Sequence, residues 1–178
     1  MYKVLVICQR KKGNCSFGKN MLVENTTVPI IKKYISQYLK TEDYSVDYLS
    51  KLDKDEPNDG VDFNIKIGDN DEFNDFLDIR RKYYSMIILN TCPYRFIQYG
   101  YIKDLLEDNG VVILSKVNCG DKYDSDLFKI PPTDSALTAS NISSFFRYNN
   151  GFYRKILKRR SRSRSKSKSR SKSKSRSL

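Results

Sequence analysis

The chain has 178 residues and carries 33 Lys and Arg against 21 Asp and Glu, a formal net charge of +12. This length predicts one ordinary domain with an appendage. The chain contains no histidine, which excludes Ser-His-Asp triads, Cys-His nucleophile pairs and zinc sites that use histidine ligands. Any acid–base chemistry must therefore use carboxylates, Lys, Tyr or Cys.

The positive charge is concentrated at the C-terminal end. Residues 154–178 contain 13 basic and no acidic residues, which leaves 20 of the 33 basic residues beside all 21 acidic residues in 1–153. The body of the chain is therefore nearly neutral. This separation predicts that the C-terminal segment, and not the folded body, binds polyanions.

Composition changes sharply at Lys158, after which Arg-Ser and Lys-Ser dipeptides continue to Leu178. No apolar residue occurs in this segment before its last position, so burial cannot offset the chain entropy of folding. We therefore expect a folded domain over residues 1–157 and a disordered tail over residues 158–178.

The apolar run that opens the chain is too short for a signal peptide or a membrane span, and no later stretch approaches twenty apolar residues. The four cysteines favour reduced thiols over a disulfide framework in a chain of this kind. We expect a soluble intracellular protein that is not secreted and has no membrane partner, with the nucleus or a virion as compatible locations.

Hydrophobic periodicity in the body alternates between strand and helix patterns. It predicts strands at 2–8, 44–50, 61–67, 84–90 and 111–114. It predicts helices at 28–40, from Asp71 toward Tyr83, and from Thr91 to a left-handed cap at Gly110. Asn149-Asn150-Gly151 between two aromatic segments predicts a terminal hairpin. The fold class expected is α/β, a three-layer Rossmann-like domain with a mainly parallel sheet and a C-terminal antiparallel hairpin.

Ligands of such sheets bind beyond the carboxyl ends of the strands. The first such loop is basic and leads toward a helix, which makes Arg10, Lys11 and Gly13 candidate cofactor-binding residues for a phosphate group. The alternative is a solvated loop without a ligand. A P-loop is disfavoured, although Lys19 follows a glycine, because Asn20 replaces the Ser or Thr that holds Mg²⁺.

Three cysteines, Cys8, Cys92 and Cys119, fall at predicted strand ends and could converge there. Structural zinc sites usually contain closely spaced cysteine pairs, and this chain has none. Packed thiols are therefore the favoured interpretation, with no metal predicted, and a metal or redox thiol is the alternative.

The segment Ser85–Tyr94, followed by a predicted helix and by Leu105–Leu114, resembles the second half of class I S-adenosylmethionine-dependent methyltransferases. Within it, Asn90-Thr91-Cys92-Pro93-Tyr94 is similar to the Asn-Pro-Pro-Tyr motif of amino-methylating enzymes. The resemblance implies an S-adenosylmethionine cofactor, a closing antiparallel hairpin, and Asn90 and Tyr94 as candidate catalytic residues. The sequence departs from the family after its first strand, where Cys8-Gln9-Arg10-Lys11-Lys12-Gly13 replaces the glycine-rich loop.

The tail resembles the RS domains of splicing factors and the basic tails of nucleic-acid packaging proteins. Its cations would neutralise phosphates of RNA or DNA without reading sequence. Its nine serines are candidate sites for a Ser kinase that would reverse the charge. The alternative is a nuclear import signal. The candidate nucleic-acid-binding residues are Arg159, Arg160, Arg162, Arg164, Lys166, Lys168, Arg170, Lys172, Lys174 and Arg176.

Aromatic side chains of the predicted hairpin could stack nucleic-acid bases beside the tail, or could form its core face. A short α/β body with a low-complexity basic tail is similar in style to proteins of large AT-rich DNA viruses. We therefore expect a nucleic-acid-associated protein with a non-enzymatic or degenerate Rossmann-like domain, in a packaging or virion setting. The alternative is a methyltransferase-like or other nucleotide-cofactor enzyme.

Overall fold

The structure, a computed structural model, describes residues 1–9, 27–51, 63–64, 71–90, 99–117, 121–131 and 142–157. This part of the chain forms three helices and a seven-stranded sheet. In chain order the elements are β1 (Tyr2–Gln9), α1 (Thr27–Leu39), β2 (Tyr44–Lys51), β3 (Phe63–Asn64), α2 (Asp71–Ile79), β4 (Tyr84–Asn90), α3 (Tyr99–Leu105), β5 (Leu106–Leu114), β6 (Phe146–Asn149) and β7 (Phe152–Lys155). None of these helices is long and apolar enough to cross a membrane.

The strands are ordered β3-β2-β1-β4-β5-β7-β6. The pairs β1–β2, β1–β4, β2–β3 and β4–β5 are parallel, whereas β7 runs antiparallel to both β5 and β6. β1 and β4 lie at the centre, and their Val-, Ile- and Leu-rich sequences suit strands that are covered on both faces. The predicted α/β class, with a mainly parallel sheet and a C-terminal antiparallel hairpin, is confirmed.

Two hydrophobic clusters cover the opposite faces of the sheet. Alternate residues of β4 separate them: Met86 and Ile88 pack with α1, whereas Ile87 and Leu89 pack with α2 and α3. This alternation follows from the two-residue repeat of a strand. Ile31 and Ile35 of α1 are fully buried, which confirms the apolar stripe predicted for this helix.

The hairpin forms where the sequence predicts it. Asn150 and Gly151 both have positive φ, at 47° and 91°, between paired strands β6 and β7. Two consecutive left-handed residues are typical of the type I′ turn, whose twist matches the twist of the flanking strands. The turn therefore aligns the hairpin with the edge of the parallel sheet.

The predicted end of the third helix and its predicted left-handed cap are wrong. α3 ends at Leu105, and Leu106 already belongs to β5, where it pairs with Tyr84. The next pair is Met86 with Val111, so residues 107–110 form an irregularity in the strand. Gly110 is not in the left-handed conformation predicted for a cap; a Cβ there would lie 2.6 Å from Cγ of Leu106.

The other predicted element boundaries can be compared with the structure where its residues are described. α1 ends at Leu39, close to the predicted end, and α2 ends at Ile79, so residues 80–82 form a turn and not a further helical turn. Of the predicted strand 61–67, the structure describes Phe63–Asn64, which pair with β2. The predicted start of the third helix at Thr91 and the tail 158–178 lie outside the described residues.

Candidate functional site

The carboxyl edge of the sheet contains the reversal of strand order at which the sequence predicts a ligand. The strand order reverses between β1 and β4, because β2 and β3 follow on one side and β5 on the other. In open α/β sheets, ligands bind beyond the strands at such a reversal point. The backbone of Cys8 pairs with Asn90 in register at this position.

Asn90 is the last residue of β4 and is 4% exposed. Strand alternation places it on the α1 face of the sheet, beyond Met86 and Ile88. Its amide provides both hydrogen-bond donors and an acceptor. The structure therefore places one predicted catalytic residue at the reversal point of the sheet.

Ser115 follows β5 beside this position and is 1% exposed. Its backbone N–H donates to the carbonyl oxygen of Leu89 at 2.9 Å, and its Oγ accepts from the N–H of Val117 at 3.2 Å. In the part of the chain that the structure describes, Asn90 and Ser115 are the buried polar residues. Both belong to one edge of the sheet, where the ends of parallel strands leave polar groups to be satisfied.

The remaining predicted cofactor and catalytic residues, Arg10, Lys11, Gly13 and Tyr94, lie outside the described residues, as do Cys92, Cys119 and the ten tail cations. Within the described ranges, no group of three or more Cys, Asp or Glu side chains could hold a metal ion.

A second candidate site, which the sequence did not predict, lies at the opposite, amino edge of the sheet. A cleft of about 820 Å³ opens there between the end of α3, the start of β5 and the end of β7. We call it the amino-edge cleft; it is lined by Lys82, Lys103, Asp104, Asp108, Ser144, Phe145, Lys155, Ile156 and Leu157.

Asp108 organises the charges of the amino-edge cleft. Its Oδ1 lies 3.0 Å from Nζ of Lys82 and 3.4 Å from Nζ of Lys155. The hydrogen bond from Lys82, together with that from Lys155, lowers the pKa of the Asp108 carboxyl below its ordinary value. The Lys155 side chain is only 5% exposed, and its Nζ also donates to the carbonyl oxygen of Leu106 at 2.8 Å.

The hairpin aromatics divide between the core and the surface. Phe146 and Tyr153 are buried, and the hydroxyl of Tyr153 donates to the carbonyl oxygen of Ile130 at 2.8 Å. For these two rings the structure confirms the second of the two alternatives, the core face of the hairpin, and they are not exposed for base stacking. Phe152 is partly buried, with the guanidinium of Arg154 5.0 Å from its ring centre, and Phe145 lines the amino-edge cleft.

The residues of the amino-edge cleft are far apart in the sequence, which explains why no local motif indicated them. Lys155 and Asp108 are separated by 47 positions. The one local signal of the cleft in the sequence was the start of the basic segment at Arg154.

Comparison of the chain with protein-family models, curated proteins and solved structures gives no match.

Proposed function

We propose that this chain is a nucleic-acid-associated protein whose Arg- and Lys-Ser tail holds a non-enzymatic α/β domain on RNA or DNA. The observation that carries the proposal is the separation of charge: 13 basic and no acidic residues in 154–178, beside a nearly neutral body. Such a segment binds phosphates by releasing counterions, without base readout. A packaging or virion component is one setting that fits this activity.

The position of β7 supports this assignment. β7 runs antiparallel to β5, so its last residue, Lys155, lies at the amino edge of the sheet. Leu157, immediately before the tail, lines the amino-edge cleft. Since a seven-residue strand such as β4 is about 20 Å long, the start of the tail lies about one strand length from Asn90 at the opposite edge of the sheet.

The proposal is tested by fluorescence anisotropy with a labelled RNA and a labelled duplex. A full-length variant with Gln at the ten predicted tail cations should lose binding to both. The matched control replaces the nine tail serines by Ala, keeps every cation, and should bind as the wild type does. Undiminished binding by the Gln variant would show that the tail is not the binding element.

A second candidate function is that of an S-adenosylmethionine-dependent methyltransferase, with the tail delivering it to a nucleic-acid substrate. The order β3-β2-β1-β4-β5 is also that of dinucleotide-binding Rossmann sheets, which supports a three-layer Rossmann-like arrangement. The reversed β7 between β5 and β6 supplies the closing hairpin that the methyltransferase resemblance implies. Asn90, buried at the reversal point, is the specific observation that favours this candidate.

One feature weighs against the enzyme. In the loop after β1, Cys8-Gln9-Arg10-Lys11-Lys12-Gly13 replaces the family's glycine-rich pattern. Isothermal titration of the full chain with S-adenosylmethionine separates the two functions. Binding that is weakened by Asn90→Ala, and unchanged by the hairpin variant Asn149→Ala, would favour the enzyme, whereas no binding would favour the non-enzymatic protein.

A further inference from the structure

The amino-edge cleft includes the last residues before the tail. Ile156 and Leu157 line the cleft and are 40% and 53% exposed, and the first residue of the tail follows Leu157 directly. A nucleic-acid strand that binds the first cations of the tail would therefore lie near the mouth of the cleft. Exposed apolar side chains at that position provide a surface against which bases can pack.

The three lysines of the cleft differ in how readily they could bind a phosphate. Lys155 is buried against Leu106 and Asp108, and Lys82 is paired with Asp108 at 3.0 Å. Lys103 has the weakest pairing, with Nζ 3.9 Å from Oδ1 of Asp104. Ion pairs between surface side chains are weak. Lys103 can therefore leave the Asp104 carboxylate and bind a phosphate at a low cost in free energy.

Phe145 lies beside this ammonium group. Nζ of Lys103 is 5.8 Å from the centre of the Phe145 ring, and both residues line the same cleft. A phosphate bound at Lys103 would bring its attached base within reach of the ring. Aromatic side chains beside a basic groove are the elements with which proteins hold single strands.

We propose that the amino-edge cleft binds a nucleotide of a single-stranded nucleic acid, with its phosphate on Lys103 and its base against Phe145. This inference rests on the proposed function and names its substrate class. A base in a duplex is stacked between its neighbours, so a partly buried ring in a cleft, such as Phe145, selects unpaired bases. The volume of about 820 Å³ lies within the range of ligand pockets, roughly 300–1,000 Å³.

The cationic tail itself is a poor occupant of this cleft. Three lysines and two aspartates line it, and the aspartate with the strongest pairing, Asp108, already contacts Lys82 and Lys155. The net positive charge of the cleft would repel a further Lys or Arg, whereas it would attract a phosphate group.

The test compares an oligouridylate, an oligodeoxythymidylate and a duplex with the same number of phosphates, each titrated with the full-length chain. Phe145→Leu keeps an apolar side chain at this position and removes the ring. It should weaken single-strand binding about fivefold or more and leave duplex binding unchanged. Phe152→Leu replaces another partly buried ring, in β7 and outside the cleft; it is the matched control and should change neither.

Lys103→Gln tests the phosphate contact. It should make the slope of log affinity against log salt shallower by about 0.7 for the single strands, and Lys122→Gln, exposed and outside the cleft, should leave it unchanged. Photocross-linking of wild-type protein to 4-thiouridine RNA, which needs no variant, should label the peptide that contains Phe145.

The cleft assignment is overturned if Phe145→Leu leaves the ratio of single-strand to duplex affinity unchanged, or if cross-links avoid the Phe145 peptide, while the wild type still binds with steep salt dependence. That outcome leaves the tail's function intact. Absence of any binding by the wild type would instead overturn the proposed function and this inference together.

Discussion

Lys155 is one of the side chains that join the last strand to the body, beside the buried Tyr153. Only 5% of it is exposed, and its Nζ contacts the carbonyl oxygen of Leu106 and the carboxylate of Asp108. A buried ammonium group needs such partners, because removing an unpaired charge from water is unfavourable. Lys155 therefore holds the root of the tail against the irregular start of β5.

Replacing Lys155 by Met should lower the free energy of unfolding, because the hydrogen bond to Leu106 and one partner of Asp108 are lost together. A hydrogen bond from a charged donor contributes about 1.5–3 kcal/mol, which sets the expected loss. Urea denaturation measures the change. The control is Lys82→Met, which removes the exposed partner of the same carboxylate and should cost clearly less. Equal losses would show that burial of Lys155 is not the deciding factor.

The lowered pKa of Asp108 predicts a pH dependence of stability. Because the carboxylate binds protons less readily in the folded state than in the unfolded state, its contribution is present above the ordinary aspartate pKa. The contribution is lost as the pH falls through the lowered value. Between about pH 5 and about pH 2, the urea midpoint of Asp108→Asn should therefore fall less than that of the wild type. Parallel curves would contradict the assigned ion pairs.

At this scale the sequence predicted part of the candidate sites. The position of Asn90 at the carboxyl edge could be predicted because it ends an apolar strand. Its catalytic role is what the methyltransferase resemblance implies and stays a prediction. Lys155 and Asp108 could not be found, because their contact joins residues 47 positions apart across an irregularity of β5 that no local pattern indicates.

Among the elements, the β6–β7 hairpin requires a left-handed backbone conformation at Gly151. Gly151 has φ of +91°, and a Cβ there would lie 3.1 Å from Cγ of Lys129. Gly151→Ala should therefore destabilise the protein by about 1–2 kcal/mol, the cost of a left-handed residue with a side chain.

Gly100, within α3, is the matched position, because a Cβ there would meet only the Phe145 ring, at 3.9 Å. Gly100→Ala should be neutral or stabilising by up to about 1 kcal/mol, since glycine is unfavourable in a helix. Thermal unfolding of both variants gives the comparison. A destabilised Gly100→Ala beside an unaffected Gly151→Ala would contradict the turn geometry.

Elements with one dominant local signal were predicted well. α1 has an apolar stripe and β4 an uninterrupted apolar run, and both were predicted nearly to their observed ends. The end of the third helix was predicted wrongly because Asp108-Asn109-Gly110 has the composition of a helix cap. Pairing of Leu106 with Tyr84, and the bond from the N–H of Tyr83 to the carbonyl oxygen of Leu105, form a strand start there instead. These contacts between distant segments outweigh local helix propensity.

At the scale of the whole molecule, the described residues differ between the two edges of the sheet. Buried polar residues Asn90 and Ser115 lie at the carboxyl edge of the sheet, whereas the amino-edge cleft and the root of the tail lie at the other edge. The tail of 21 residues can extend about 70 Å when fully stretched. It can therefore reach either edge, and one nucleic acid bound to it can contact both.

Phosphorylation should switch this association off. Nine serines alternate with the tail cations, and each phosphate adds about −1.5 to −2 charges. Full modification would take residues 154–178 from +13 to between about zero and about −5. Protein phosphorylated with a Ser kinase should lose RNA affinity, and phosphatase treatment should restore it. Retained affinity after mass spectrometry has verified full modification would contradict a charge-based mechanism.

At the scale of the molecule, sequence arithmetic alone indicated the division into body and tail, because charge and composition are additive and need no coordinates. The parallel sheet and its hairpin also followed from pattern. The amino-edge cleft did not, because a cleft arises from the three-dimensional approach of α3, β5 and β7.

The measurement that tests the central claim most directly is the salt dependence of nucleic-acid binding by the full-length chain. If the tail is the binding element, log affinity should fall steeply and linearly with log salt for every sequence tried. The loss should be about 10³–10⁵-fold between 50 and 200 mM salt when six to ten duplex phosphates are contacted. A shallow dependence, or a sequence preference that survives neutralisation of the tail cations, would place recognition on the folded body and contradict the account.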